Sequence, residues 1–302
     1  MEHSIVEEVN HEAISLLFMN QLNQEFDGQL SLAIQVFKGE YHRKFMLQLI
    51  SSQLDMDRMD YLKRDSFYSG VAEGNVNSER LIQMMNVVDD VLVIEEKGIY
   101  SVEKFLMSRR LMYWQAYLHK TSLVAELILT KVLKRAKELT LKGVQLPCSE
   151  PLLFFLQNRI ALENFDANIL DLFSQLDDFD IISALKSWQR QDDFILSSLS
   201  KMIINRDLPK IKVVTDKALL DEIGPLQERF AAENNLSIAD TNYFIFKGKI
   251  KNQAYSKEAE PIRILKKDRT IEDVVEASDQ LNLKSLSKLV TKYYICFPKQ
   301  LV

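Results

Sequence analysis

The chain has 302 residues, with 38 Lys plus Arg against 43 Asp plus Glu, 47% hydrophobic residues, 8 Gly and 6 Pro. This composition is typical of a globular protein, and the scarcity of Gly and Pro excludes collagen-like, disordered and turn-dense all-β structures. A formal net charge of −5 gives no general attraction to nucleic acid, so we do not expect nucleic acid as a partner. No apolar run reaches the roughly 18 residues that span a bilayer, and the first residues carry Glu2 and Glu7 where a signal peptide would carry Lys or Arg. We therefore expect no membrane partner and a cytoplasmic location.

The apolar pattern from Glu12 to Leu139 is helical, because residues such as Ile14, Leu17 and Phe18 recur at intervals of three and four. Further helices follow over 143–209. After Pro209, short β-rich runs alternate with helical stretches and predict a small α+β subdomain. The predicted fold is mainly α, a helical bundle with a C-terminal α+β subdomain, divided at 1–142, 143–209 and 210–302.

Three finer predictions concern element boundaries. Lys97-Gly98 between 91–94 and Ile99-Tyr100 predicts a small hairpin. A single helix is predicted over 104–139. Two more are predicted over 161–176 and 181–204, and Asp178 or Asp180 is the expected cap of the second.

The segment from Ser51 to Asp65 is the most unusual in the chain, with four acids, three bases and a tyrosine in fifteen residues. On a helix, Asp57, Tyr61 and Asp65 would share one face, since residues four apart are neighbours. One interpretation is a solvated face laced with ion pairs such as Asp60–Arg64. The other is a site, because two aligned carboxylates without a base between them favour a divalent metal or a substrate hydroxyl.

A second pattern of interest is Arg109, Tyr113 and Tyr117, again four residues apart. Guanidinium groups bind phosphate oxygens in a bidentate manner, and tyrosines stack and donate hydrogen bonds. The pattern is therefore consistent with a clamp for phosphate and sugar. The same spacing also fits an aromatic part of the core, which spacing alone favours, so both interpretations stay open.

The segment Leu54-Asp-Met-Asp-Arg-Met-Asp-Tyr-Leu-Lys-Arg-Asp65 closely resembles the last motif of the HD-superfamily phosphohydrolases related to deoxynucleoside triphosphate triphosphohydrolases. Asn10-His11-Glu12, 41–45, 69–71, 112–120 and 178–206 are similar to other stretches of the same family. The resemblance covers most of residues 1–210. It implies an HD-domain-like helical bundle, present in part over 1–142, followed by a helical extension and the α+β subdomain.

The resemblance implies hydrolysis of a deoxynucleoside triphosphate (dNTP) to deoxynucleoside and triphosphate, with a divalent metal (Mn, Mg, Fe or Zn) as cofactor. In this family a histidine, a His-Asp pair and a late aspartate bind the metal, and Asp57 stands at the late aspartate. His11 matches an active-site histidine, and Glu2 falls where a catalytic acid lies. Relatives are commonly oligomeric, so a homo-oligomer is expected.

The substrate contacts implied by the resemblance fall on both patterns described above. Arg58 and Arg109 match residues that face the phosphates. Tyr61, Asp65 and Tyr117 match residues that contact or pack against the sugar. The expected ligand is thus a nucleotide.

The His-Asp pair itself is missing, because none of the four histidines, at positions 3, 11, 42 and 119, is followed by Asp. One carboxylate does not hold a hydrolytic metal. Asp55 and His11 would form an unusual site, or the chain is N-terminally truncated, does not retain the metal, and is weakly active or inactive alone. The alternative is a degenerate HD module that binds nucleotide and regulates without catalysis.

Overall fold

The computed structural model describes residues 6–7, 10–215, 223–256, 258–279 and 283–301. The fold is mainly helical with small sheets, as predicted. Within these ranges, no helix is both long and apolar enough to cross a membrane. Numbered along the chain, the helices are α1 His11–Glu25, α2 Ser31–Phe37, α3 Lys44–Ile50, α4 Met56–Ser69, α5 Ser78–Gln83, α6 Ile99–Met112, α7 Lys120–Leu141, α8 Glu150–Gln157, α9 Ala167–Ser174, α10 Asp178–Trp188, α11 Phe194–Ile204, α12 Ile223–Asn234, α13 Ile238–Thr241, α14 Val274–Ala277 and α15 Leu283–Leu286. The strands are β1 Val6–Glu7, β2 Met85–Val88, β3 Val91–Glu95, β4 Ile160–Ala161, β5 Lys210–Val214, β6 Phe246–Asn252, β7 Arg263–Leu265, β8 Ile271–Asp273 and β9 Val290–Phe297.

The chain forms two compact units, each assembled from separate segments. Unit one comprises the described residues within 1–30, 120–249 and 292–302, and unit two comprises those within 31–119 and 250–291. Both units therefore combine residues from more than one of the three predicted sequence divisions. The boundaries at 142 and 209 stay predictions about sequence domains.

Unit one is organised around α7, which contacts α8 and α11. One of its hydrophobic clusters joins α1 to the segment that follows α7, because Ile14 is buried with Phe155, Ile160, Phe165 and Leu170. Strand β1 pairs in parallel with β4, and β5 pairs antiparallel with β9. The short sheets thus tie distant parts of the chain into this unit.

Unit two is built around α6, whose Val102, Phe105 and Leu106 are fully buried. Residues of α4 and of 254–286 complete the same hydrophobic cluster. A four-stranded sheet lies in this unit in the order β2-β3-β7-β8, with an antiparallel β2-β3 hairpin and a parallel β3-β7 pair. Described residues between 254 and 286 are therefore an integral part of this core.

The hairpin was predicted at the wrong turn of the chain. The hairpin joins β2 to β3 through Asp89 and Asp90, whose φ angles are +50° and +64°. Aspartate tolerates this left-handed region better than most residues, which makes the pair a suitable turn. Ile99, expected in the second strand, is instead the first residue of α6.

The helix boundaries after residue 99 also differ from prediction. The helix predicted over 104–139 is interrupted between Met112 and Lys120 by a π-helical turn and a break. The helix predicted over 181–204 is two helices, because Asp193 caps α11 by accepting a hydrogen bond from the Leu196 amide at 2.8 Å. Side-chain capping by Asp193 therefore starts a new helix inside a run that periodicity alone reads as continuous.

The start of α10 corrects a cap prediction. Asp177, rather than Asp178 or Asp180, is the N-cap, and its side chain accepts from the Phe179 and Asp180 amides. Asp180 is the third helical residue and accepts from the Asp177 amide at 2.8 Å. The two acids thus form a reciprocal capping box.

Candidate functional site

The candidate site begins with the first turn of α4. The buried side chain of Asp55 caps this helix, with one oxygen accepting from the Arg58 amide at 2.7 Å and the other from the Ser52 amide at 3.1 Å. The Arg58 Nε lies 3.1 Å from the Asp55 carboxylate and donates to the Ser52 carbonyl at 2.8 Å. Asp55 therefore starts the helix and fixes Arg58 at its first turn, and its oxygens are occupied by these structural bonds.

The faces of α4 follow the spacing of its side chains. Met59, Leu62 and Ser66 are buried, at intervals of three and four. Tyr61 and Asp65 lie half-buried on the flank of this apolar face. The ion pair predicted between Asp60 and Arg64 is confirmed, with 2.7 Å between its atoms. One side of α4 is thus a solvated, charged face, and another side carries the candidate site residues.

A π-helical turn over Tyr113–Tyr117 follows α6. The Leu118 amide donates to the Tyr113 carbonyl, five residues back, at 2.7 Å. The Tyr117 ring lies edge-on to Tyr113 and Tyr61, with centroid distances of 5.2 and 5.9 Å. Edge-to-face contacts at this separation are favourable. Single π turns inside helices occur often at functional sites.

Tyr117 and Asp65 join the two halves of the site. The Tyr117 hydroxyl donates to the Asp65 Oδ2 at 2.8 Å. Burial raises the pKa of Tyr117 well above its usual value, and the hydrogen bond to the Asp65 carboxylate raises it further. The Tyr117 phenol therefore keeps its proton at neutral pH and donates it in this hydrogen bond.

Two arginines flank Tyr61. Burial raises the pKa of Tyr61 and the nearby Tyr113 adds to this, while Arg58 and Arg109 act in the opposite sense. The Arg109 Nη1 donates to the Ala254 carbonyl at 3.0 Å, and the guanidinium lies 5.9 Å from the Tyr113 ring centroid. The Arg109 Nε is buried and has no hydrogen-bond partner among the described residues.

The structure therefore brings together all five predicted substrate-contacting residues and Tyr113. We call these residues the site cluster: Arg58, Tyr61, Asp65, Arg109, Tyr113 and Tyr117. Tyr61 and Tyr117 also pack against the hydrophobic core of unit two. The two interpretations, clamp and core, are therefore compatible. The tyrosine rings have one side on the core and polar groups at the other.

Of the predicted catalytic and metal residues, the structure describes His11 and Asp57. His11 is the exposed first residue of α1 and belongs to unit one. Glu2 lies outside the described residues. Asp57 is exposed in the first turn of α4. Across the described ranges, no three His, Cys, Asp or Glu side chains are arranged to hold a metal ion, so these residues alone do not fit a hydrolytic divalent metal.

Sequence reasoning did not identify two groups that support the site cluster. Ala254 contributes only its backbone carbonyl, and no side-chain pattern predicts such a role. Gln53 contacts the backbone of Ser256 and Glu260, more than 200 positions away.

The site cluster combines two kinds of recognition. The guanidinium groups of Arg58 and Arg109 can bind phosphate oxygens, and the unpartnered Arg109 Nε requires an acceptor. The Asp65 carboxylate accepts one bond from Tyr117 and has capacity for a ligand hydroxyl. Tyrosine rings provide an apolar wall between these polar groups.

Comparisons with known proteins identify the family of the chain. Residues 76–145 match a family model described as an HD associated region. The solved structure of a phosphohydrolase from Bacteroides thetaiotaomicron is similar with a TM-score of 0.93 and 49% sequence identity, covering 99% of this chain and 74% of that chain. The chain therefore belongs to the phosphohydrolases of the HD superfamily.

Two curated relatives match shorter stretches. An uncharacterized Bacillus subtilis protein, YwfO, is 39% identical over 176 residues, which are 58% of this chain and 39% of YwfO. A Dictyostelium discoideum protein named as a deoxynucleoside triphosphate triphosphohydrolase SAMHD1 homolog is 25% identical over 141 residues, 43% of this chain and 27% of that protein. The matched part of the chain thus spans less than half the length of either relative.

Proposed function

We propose that the site cluster binds a deoxynucleoside triphosphate. Arg58 and Arg109 face the phosphates, and Asp65 accepts a sugar hydroxyl beside Tyr61 and Tyr117. The observation that carries this proposal is the buried Arg109 Nε, which has no hydrogen-bond partner among the described residues, together with the Asp65 carboxylate that Tyr117 holds in the same site cluster. A triphosphate with a sugar supplies both the missing acceptor and the hydroxyl donor.

The proposed reaction is hydrolysis of the nucleotide to deoxynucleoside and triphosphate, the activity printed in the name of the Dictyostelium relative. The chain's own part in it is to bind and orient the substrate. The two guanidinium groups would offset negative charge on the phosphates, and the tyrosine rings would limit water around the sugar. Groups held in this way lower the activation barrier by positioning the substrate.

The proposal includes a divalent metal with Asp57 as one ligand. Asp57 alone does not hold such an ion, and the described residues provide no further set of ligands. The remaining ligands would have to come from outside the described residues. A homo-oligomer, expected from the family resemblance, stays a prediction that multi-angle light scattering would test.

A second candidate function is a module that binds nucleotide without hydrolysing it. The lack of a three-residue metal-binding group across the described ranges favours this alternative. It uses the same arginines, tyrosines and carboxylate. The two functions differ only in whether the bound nucleotide is hydrolysed.

The test is an assay of the purified chain with the four dNTPs, with and without Mn²⁺. Released triphosphate is separated by anion-exchange chromatography, and nucleotide binding is followed in parallel by calorimetry. Metal-dependent triphosphate release that is lost in Asp57→Ala supports the enzyme. Binding without release supports the module, and neither binding nor release contradicts both.

A further inference from the structure

Gln53 is a buried glutamine in the loop between α3 and α4, and its side chain makes three hydrogen bonds to one segment of unit two. Its amide nitrogen donates to the carbonyls of Ser256 and Glu260, both at 2.8 Å. Its amide oxygen accepts from the Ser256 amide at 2.7 Å. The side chain is only 8% exposed, so these bonds are shielded from competing water.

The backbone on each side of the Gln53 hydrogen bonds also holds one arginine of the site cluster. On the loop side, the neighbouring Ser52 carbonyl accepts from the Arg58 Nε at 2.8 Å. On the segment side, Ala254 lies two residues before Ser256, and its carbonyl accepts from the Arg109 Nη1 at 3.0 Å. Gln53 thus links the backbone that holds one guanidinium to the backbone that holds the other.

We propose that Gln53 is a positioning residue that sets the spacing between Arg58 and Arg109 for binding of a polyphosphate. This inference rests on the proposed function of the site cluster. A phosphate chain bridged by two guanidinium groups is sensitive to their separation, since each bidentate contact has a narrow geometry. Gln53 touches neither the site cluster nor a ligand, so it acts through Ser52 and Ala254.

The chemistry of the connection requires an amide. Two carbonyl acceptors and one amide donor face the same side chain, and glutamine provides two donors and an acceptor. Gln53→Glu would keep the acceptor but lose both donors. Gln53→Met keeps similar length and burial and removes all three bonds, so it serves as a second variant that maintains packing.

Gln48 provides a matched control. This glutamine of α3 also bridges to the same segment, donating to the Glu260 carboxylate at 2.8 Å and accepting from the Leu92 amide at 2.7 Å. Its partners do not include Ser52, Ala254 or Ser256. A variant at this position therefore measures the general effect of loosening the segment without touching the arginine supports.

The experiment is calorimetric titration of the whole chain with inorganic tripolyphosphate. Because the loss of orientation weakens two charge-assisted contacts, we expect Gln53→Ala and Gln53→Met each to raise Kd about 10-fold. Gln48→Ala should change Kd by less than about 2-fold, because Gln48 bonds the Glu260 carboxylate and the Leu92 amide and not the backbone that holds either arginine. Equal effects of the Gln53 and Gln48 variants would overturn the inference.

A double-mutant cycle with Arg109→Ala distinguishes positioning of Arg109 from a general structural role of Gln53. If Gln53 acts through Arg109, the effect of Gln53→Met should be reduced in the Arg109→Ala background. Full additivity of the two substitutions contradicts positioning. If Arg109→Ala and Arg58→Ala leave tripolyphosphate binding unchanged, the proposed phosphate site is itself wrong, which is a separate outcome from a failure of Gln53 alone.

Discussion

The hydrogen bond between Tyr117 and Asp65 is the most direct link between the two sequence patterns at the scale of single residues. Tyr117→Phe removes it and leaves the carboxylate without this donor. Because Asp65 is partly solvent-exposed, we expect the free energy of unfolding at pH 7 to fall by only about 1 kcal/mol. Urea unfolding measures this change, and Tyr68→Phe, at an 80% exposed ring, should leave the midpoint unchanged.

The same variant has a defined pH dependence. The pKa of Tyr117 is raised in the folded state, so the folded protein holds this proton more tightly than the unfolded chain. The stability that the proton contributes is fully present below pH of about 10 and is lost as the pH rises beyond it. The difference between wild type and Tyr117→Phe should therefore shrink above that pH, and a constant difference would contradict the assignment.

At the scale of the element, the start of α4 carries two aspartates of different roles, two positions apart. Asp55 caps the helix and holds Arg58, so Asp55→Ala should lower the free energy of unfolding by about 2 kcal/mol. Asp57 is exposed in the first turn, where a carboxylate contributes about 0.5 kcal/mol through the helix dipole. Urea midpoints of the two variants give the comparison. Equal losses would show that Asp55 is not the structural cap.

At the scale of the whole molecule, the segment 250–291 belongs to the same compact unit as 31–119. Ile264 and Val274 are fully buried in one cluster with Phe105 and Leu106 of α6. Amides of β7 and of α6 should therefore exchange with deuterium through a common opening as urea is raised. Mass spectrometry of peptides measures this. Opening of β7 together with β5 and α12, independently of α6, would instead support a separate C-terminal subdomain.

Much of the site could be predicted from sequence where residues on one helix are four apart. The spacing of Tyr61 and Asp65, and of Tyr113 and Tyr117, placed each set on one face before any contact was known. Periodicity did not predict the π turn at Tyr113, because it depends on a backbone bond between residues five apart.

The supports of the site cluster could not be predicted in the same way. Arg109 is held by the backbone carbonyl of Ala254, 145 residues later, and Gln53 is bonded to backbone of Ser256. Backbone acceptors carry no residue signature. Helix starts were misplaced for a related reason, since Asp177 and Asp193 begin α10 and α11 by local N-capping, which periodicity does not show.

We propose that the site cluster binds a nucleoside triphosphate through Arg58 and Arg109. The most direct test is equilibrium binding of the four dNTPs to the wild-type chain and to the Arg58→Ala/Arg109→Ala double variant. Each charge-assisted contact is worth about 1.5–3 kcal/mol, so we expect saturable binding of at least one nucleotide that weakens about 100-fold or more in the double variant. Equal affinity of the two proteins, or no binding to the wild type, would contradict the claim.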